Sequence, residues 1–158
     1  MEIKRADVSN APIMYDLMMQ AFMEYKDEVP PSSALEETEE TIAKALAEEE
    51  KAFIAYINEQ PVGMVRFKLN DNTLYFYRLS VLPEMQGQGI AKKLLNYLES
   101  YAENINVTKI ICKVRKNVPR NMQLYHSLGF TVFHEEVIER ENGVHLTVVS
   151  MMKQLADT

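Results

Sequence analysis

Arg78-Leu79-Ser80-Val81-Leu82-Pro83-Glu84-Met85-Gln86-Gly87-Gln88-Gly89-Ile90-Ala91-Lys92-Lys93-Leu94-Leu95 decides how the rest of the chain is read. An apolar strand runs into a proline, then into a glycine-rich turn, then into residues of helical periodicity. At such a junction the first N–H groups of the helix have no intrahelical partner and the helix dipole is positive. Glycines also let a ligand come close to the main chain. A phosphorylated ligand is the expected occupant. Its type follows from spacing. The P-loop pattern fails, because Gly87 and Gly89 stand two apart and no Ser or Thr follows the lysines. The dinucleotide fingerprint fails as well, because its third small position falls on Lys92 and its acidic position near Lys109 or Ile110.

The pattern that fits is R/Q-x-x-G-x-G/A, filled by Gln86, Gly89 and Ala91 after Val81-Leu82-Pro83. Downstream, Asn121-Met122-Gln123-Leu124-Tyr125-His126-Ser127-Leu128-Gly129-Phe130 matches A-x-x-L-Y-x-x-x-G-F after its first position. The two motifs, in this order, resemble those of the GNAT superfamily of N-acetyltransferases. The first small residue of the second motif is Asn121 here, and the family's usual asparagine seven before the tyrosine is Val118.

Composition sets the outer bounds. A chain of 158 residues, 47% hydrophobic and 25% charged, has the profile of one globular domain spanning residues 1–158. It can bury roughly two-thirds of its unfolded surface. A net charge of −6 argues against a general nucleic-acid partner. The apolar runs are too short to span a bilayer, so no membrane partner is expected. The N-terminus carries no signal-peptide core, which predicts a cytoplasmic protein. The single cysteine, Cys112, excludes an internal disulfide and reads as a buried, inert thiol. His126, His134 and His145 have no ligand spacing with it, so no metal is predicted.

Periodicity predicts the elements. A strand is expected over Glu2–Ala6, and a helix capped by Ser9 or Asn10 runs to about Asp27. Val29-Pro30-Pro31-Ser32-Ser33 is a loop, and a second helix follows over Glu36–Glu49. Strands over Phe53–Ile57, Val62–Leu69 and Thr73–Val81, joined by short turns, are antiparallel. The helix after the glycine turn puts Ile90, Leu94, Leu98, Tyr101 or Ala102, and Ile105 on its core face. A strand over Lys109–Arg115, reached by this helical crossover, pairs in parallel. A helix beginning near Pro119 ends at Gly129, and a hairpin around Glu141-Asn142-Gly143 joins strands Thr131–Ile138 and His145–Met152.

This order is also that of the GNAT fold. The resemblance implies an α/β (α+β) domain with a mixed, mostly antiparallel sheet of about six or seven strands and about four flanking helices, with a central splayed parallel pair. It implies acetyl-CoA as cosubstrate. Backbone groups of Leu79 and Val81 would bind pantetheine, and N–H groups of Gln86, Gly87, Gln88, Gly89, Ile90 and Ala91 the pyrophosphate. Asn117 and Asn121 would reach cofactor or substrate through their amides. Lys92 and Lys93 oppose the dipole at the start of the helix, a penalty that bound phosphates would reverse. Tyr125 would be the general acid for the departing thiolate, since phenols in general ionise near pH ~10 and are protonated at neutrality.

The implied activity is an acetyltransferase that moves an acetyl group to a primary amine by direct attack. A non-catalytic acyl-CoA-binding domain is the alternative, and it would not need Tyr125. Glu24, Tyr77, Glu84 and His126 are candidate general bases by type only, beside a water chain. The acceptor is a small-molecule or peptide amine, and a homodimer is one outcome the family allows. Glu24, Asp27, Glu28, Glu36, Glu37, Glu39 and Glu40 against Lys26 in the first two helices favour a cationic amine, unless they are a solvated face.

Overall fold

The computed structural model describes residues 1–23, 33–139 and 143–155. Its seven strands are β1 (Glu2–Arg5), β2 (Lys51–Ile57), β3 (Gln60–Asn70), β4 (Thr73–Val81), β5 (Lys109–Arg115), β6 (Thr131–Glu139) and β7 (His145–Gln154). They form one sheet in the order β1-β2-β3-β4-β5-β7-β6, antiparallel except where β4 meets β5. Helices α1 (Ala11–Phe22) and α2 (Glu39–Ala47) cover one face, and α3 (Ile90–Asn104) and α4 (Pro119–Ser127) the other. The expected fold class and the expected order of strands and helices along the chain are both present.

Two cores follow from this layering. Under α3 and α4 lie Phe53, Phe67, Phe76, Leu94, Leu98 and Ile110, with Cys112 among them. Under α1 and α2 lie Met14, Leu17, Met18, Ile42, Ile54 and Met64. Met14 and Met18 of α1 are therefore core, and Met19 is half-buried against them.

Several boundaries move from where periodicity put them. Asn10 is the N-cap of α1, one of the two expected positions, but without a side-chain bond to the helix; Asp7 caps a short 3-10 turn before it, accepting the Ser9 N–H at 2.9 Å while Asn10 Oδ1 accepts the Asp7 N–H. The second helix starts at Glu39 instead of Glu36. Thr38 and Thr41 close a reciprocal cap there, and Ser33–Glu36 form a separate 3-10 turn. Ile105 is 40% exposed instead of core, because α3 ends at Asn104 and Asn106 follows with φ 63°. The stretch to Asp27 expected to continue the first helix, Val29 to Ser32 of the expected loop, and Glu141 and Asn142 of the expected hairpin turn lie outside the described residues.

The parallel pair opens. β4 and β5 pair only at Thr73–Lys109, Leu74–Ile110 and Tyr75–Ile111, although the strands continue to Val81 and Arg115. A bulge accompanies the opening: Met64 faces Ser80 but Arg66 faces Tyr77, so Arg78 and Leu79 together oppose Val65. Arg78 takes φ 53°, and the Ser80 hydroxyl donates to its carbonyl at 3.0 Å. Bulges bend the strand that carries them, and here the bend is where β4 parts from β5.

Candidate active site

The opening leads into a cleft of about 800 Å³ that reaches both faces of the sheet. On the α3/α4 side it is walled by Leu79, Val81, Ile90, Leu124 and Tyr125, and on the other by Ala21, Phe22, Tyr75 and Tyr77. Because successive side chains alternate between faces, Cys112 and Val114 of β5 enter the α3/α4 core while Lys113 and Arg115 point the other way.

The glycine turn closes one end. Pro83–Met85 form a 3-10 turn, and the Gln86 side chain reaches back toward the Val81 carbonyl at 3.5 Å. Gly87 and Gly89 take φ 83° and 80°, which L side chains adopt at a cost. A Cβ at either position would meet nothing within 4 Å, so the space beside the turn is open to a ligand. Gly89 is also the N-cap of α3 and has no side chain to occupy the first N–H groups. Those donors are left for an external acceptor. Gln86, Gly87, Gly89, Ile90, Ala91 and Lys92 line the cleft, whereas Gln88 and Lys93 are not part of its lining.

Gly63 was not singled out by its sequence. A Cβ there would stand 2.9 Å from the Ser80 carbonyl oxygen and 3.2 Å from both Ile90 and Leu94 side chains. Its bare backbone lets α3 lie close on β3, which sets the depth of the turn. The available signal was an isolated glycine within an apolar strand.

Tyr125 forms part of the opposite wall and is 6% exposed. The helix end explains its motif. Gly129 at φ 97° lets its own N–H bond His126 O at 3.1 Å and the Phe130 N–H bond Tyr125 O at 3.0 Å, which is a Schellman cap. The apolar contact that accompanies such a cap joins Phe130 to Tyr125, with ring centroids 6.1 Å apart. Phe76 packs edge-on to the Tyr125 ring at 5.5 Å. The spacing Y-x-x-x-G-F thus fixes the tyrosine ring at the cleft. Asn121 lines the cleft too, but Asn117 sits in a neighbouring depression with Lys116 and His145.

A buried ionic network adjoins Tyr77. Arg66 is 3% exposed; its Nε donates to Glu50 Oε1 at 2.8 Å, and its Nη1 donates to both Glu37 oxygens at 2.8 and 2.9 Å. Glu37 also accepts from Arg78 Nε at 2.8 Å. Burial alone would raise the Glu37 pKa, but hydrogen bonds and charge from Arg66 and Arg78 bring it below the ordinary value. Tyr77 donates its hydroxyl to Glu50. Burial first, and then the Glu50 carboxylate, push the Tyr77 phenol far above its usual range, so it is unsuited to act as a base. Of the network's members the sequence had singled out only Glu37, placed in an acidic face, and Tyr77, a candidate base by type; the pairing itself was not read. The missed signal was Arg66 inside the apolar run Val62–Phe67.

Of the other base candidates, Glu84 and His126 are exposed and away from the cleft lining, and Glu24 lies outside the described residues. Glu36, Glu39 and Glu40 are exposed and line no part of the cleft, and Asp27 and Glu28 are outside the described residues. Burial pushes the Cys112 thiol up to about 12, as expected of an inert core cysteine. Among the described residues no cluster of His, Cys, Asp or Glu is arranged to hold a metal, and no helix is long and apolar enough to cross a membrane.

A family model for the acetyltransferase (GNAT) family matches residues 12–130. The chain belongs to the GNAT acetyltransferase family, and it is an enzyme of that family. A search of curated proteins finds no match. Solved structures similar to this GNAT chain include a ribosomal-protein-alanine N-acetyltransferase from Brucella melitensis, at 17% identity and TM-score 0.77, with 98% of this chain and 100% of that one covered. A PaiA N-acetyltransferase from Thermoplasma acidophilum, solved with coenzyme A, gives 16% identity and TM-score 0.76 over 98% and 99% of the chains. A spermidine N-acetyltransferase mutant from Vibrio cholerae gives 22% identity and TM-score 0.75 over 98% and 95%. At these identities the likeness is one of fold.

Proposed function

We propose that this GNAT enzyme, a single cytoplasmic domain over residues 1–158, moves the acetyl group of acetyl-CoA to a primary amine by direct attack. The two substrates meet in a ternary complex and no acyl-enzyme forms. The opening of β4 from β5 carries the reading, because it places an unpaired strand edge, an uncapped helix N-terminus and a tyrosine around one cleft.

Beyond Tyr75 the β4 edge has no β5 partner, so backbone groups of Leu79 and Val81 can take the pantetheine amides as an added strand. The N–H groups of the turn from Gln86 to Ala91 then receive the pyrophosphate, with Lys92 supplying charge. Asn121 serves from the wall of α4. The acetyl group comes to the centre of the sheet, and the amine arrives through the mouth lined by Phe22 and Tyr77. A C–N bond forms as the C–S bond breaks. The Tyr125 hydroxyl gives its proton to the departing thiolate. The amine's own proton leaves through water, because Tyr77 is committed to Glu50.

Gly89→Glu tests the reading. It puts a side chain and a negative charge into the open space beside the turn and costs about 1–2 kcal/mol for its left-handed backbone. Calorimetry of acetyl-CoA with the folded variant should show binding lost; affinity equal to wild type would remove the turn from the cofactor site.

A further inference from the structure

The two edges of the sheet are built differently. β1 spans four residues, and Glu2, Lys4 and Arg5 among them are charged, which keeps an edge from pairing with another chain. β6 spans nine, and the three most exposed large apolar side chains among the described residues all lie on it: Val137 at 64%, Phe133 at 50% and Val132 at 48%. One long side of β6 bonds β7, and no other described segment bonds the opposite side. The carbonyl and N–H groups of that side are left to water beside an apolar strip, an arrangement that a further strand satisfies.

The ladder with β7 fixes the face each residue of β6 takes, because residues paired across a ladder share a face. Glu135 pairs with Val149, which packs in the core under α3 and α4, so Glu135 lies on that face. Phe133 and Val137, two positions to either side, lie there with it. His134 and Glu136, opposite Ser150 and Val148, take the other face. The bulge after Val132 sets that residue opposite Met151, also of the α3/α4 core, and so breaks the alternation. Clean alternation therefore runs only from Phe133 onward.

Such an edge is complementary to itself in one register. A two-fold axis normal to the sheet sets the strand antiparallel to its own copy and keeps each face. One residue then meets itself on the axis, and the others meet at equal distances from it. With Glu135 on the axis, Phe133 meets Val137 and His134 meets Glu136, each pair occurring twice. The first is an aromatic–β-branched pair, and in the second an imidazole N–H faces a carboxylate. Centring on His134 or on Glu136 sets Glu135 against Phe133 or Val137, centring on Val137 sets it against Glu139, and centring on Phe133 runs into the bulge. The Glu135 carboxylates that meet on the axis each have their own Lys116 at 2.8 Å, and Glu136 has Lys113 at 3.5 Å. We infer that the outer edge of β6 is a self-recognition surface: a second copy of this chain pairs with it antiparallel over residues 133–137 about Glu135, and the sheet runs on through both molecules.

Sedimentation across a range of micromolar concentrations tests the edge. Wild type should dimerise, and Val137→Glu, which sets a carboxylate against Phe133 at both ends of the paired segment, should weaken the dimer by about tenfold or more. Glu135, Val137 and Glu139 line no part of the cleft, so acetyl-CoA binding should be unchanged in variants at these positions. Glu135→Cys tests the register. Directly opposed residues of an antiparallel pair stand ~4.5–5.5 Å apart at Cα, within the span of a disulfide, so mild oxidation should link two copies through the introduced thiol. Glu139→Cys, four positions from the axis, should link far more slowly, and the buried Cys112 should not link at all. A wild type that stays monomeric leaves the edge to some other protein and overturns the proposal. So does a dimer that Val137→Glu leaves intact, or linking as fast from position 139 as from 135. If Val137→Glu does not fold, the two cysteine variants decide.

Discussion

Arg66→Met removes the cation from the centre of the buried network while keeping much of its volume. The Glu50 side chain is 0% exposed and its Oε2 has no partner among the described residues, so without Arg66 its charge is held only by the Tyr77 hydroxyl. Breaking a buried ion pair so that one charge is left unpaired costs ~3–5 kcal/mol. For a chain of this length that lowers Tm by roughly 6–20 °C.

Glu37 carries the pH dependence of the intact network. Its pKa is held below the ordinary value, so its contribution is present above the unfolded value and is lost only in more acidic solution. Urea unfolding at pH 7 measures the deficit of Arg66→Met, and Glu50→Gln in the Arg66→Met background should recover most of the loss. A loss under ~1 kcal/mol would refute the burial of an unpaired charge.

Tyr125→Phe should lower kcat by about tenfold to a thousandfold with little change in acetyl-CoA affinity, since the ring contacts to Phe76 and Phe130 remain. Steady-state kinetics with calorimetry decide it, and wild-type turnover would reduce the residue to packing. Gly63→Ala forces a Cβ to within 2.9 Å of the Ser80 carbonyl and should cost about 1–3 kcal/mol in urea unfolding, with weaker acetyl-CoA binding as α3 is displaced. Cys112, 2% exposed with its thiol pushed up to about 12, should resist alkylation at pH 8 in the folded protein and react at once in denaturant.

The turn and the tyrosine motif were legible because their geometry is encoded within a few consecutive residues. Two glycines in left-handed backbone need no distant partner, and the Schellman cap that seats Tyr125 is closed by residues 125–130. Helix boundaries were less legible. Thr38 and Thr41 make the cap of α2, and a stripe of apolar residues cannot report which nearby hydroxyl wins. The network was hidden for a different reason. Arg66 finds Glu50 sixteen residues back and Glu37 twenty-nine back, contacts that exist only once β2, β3 and the segment before α2 are assembled. Charge counted along the sequence therefore gave an acidic acceptor face, while charge paired in space removes Glu37 from it.

The network and the opening share a cause. A left-handed arginine costs of the order of 1–3 kcal/mol, and it persists only where surrounding contacts over-determine it. Here the Glu37 carboxylate grips the Arg78 side chain while the Ser80 hydroxyl bonds its carbonyl, so both ends of the strained residue are held. Glu37 is in turn anchored by Arg66, the residue that faces Tyr77 immediately before the bulge. The bulge uses one extra residue of β4, and the strand bends away from β5 where the ladder to Ile111 stops. Were β4 to continue in register, its edge would pair with β5 and no backbone group of Leu79 or Val81 would remain for a ligand. The buried charges, though weak contributors to stability as a set, thus hold open the sheet defect on which the cleft depends.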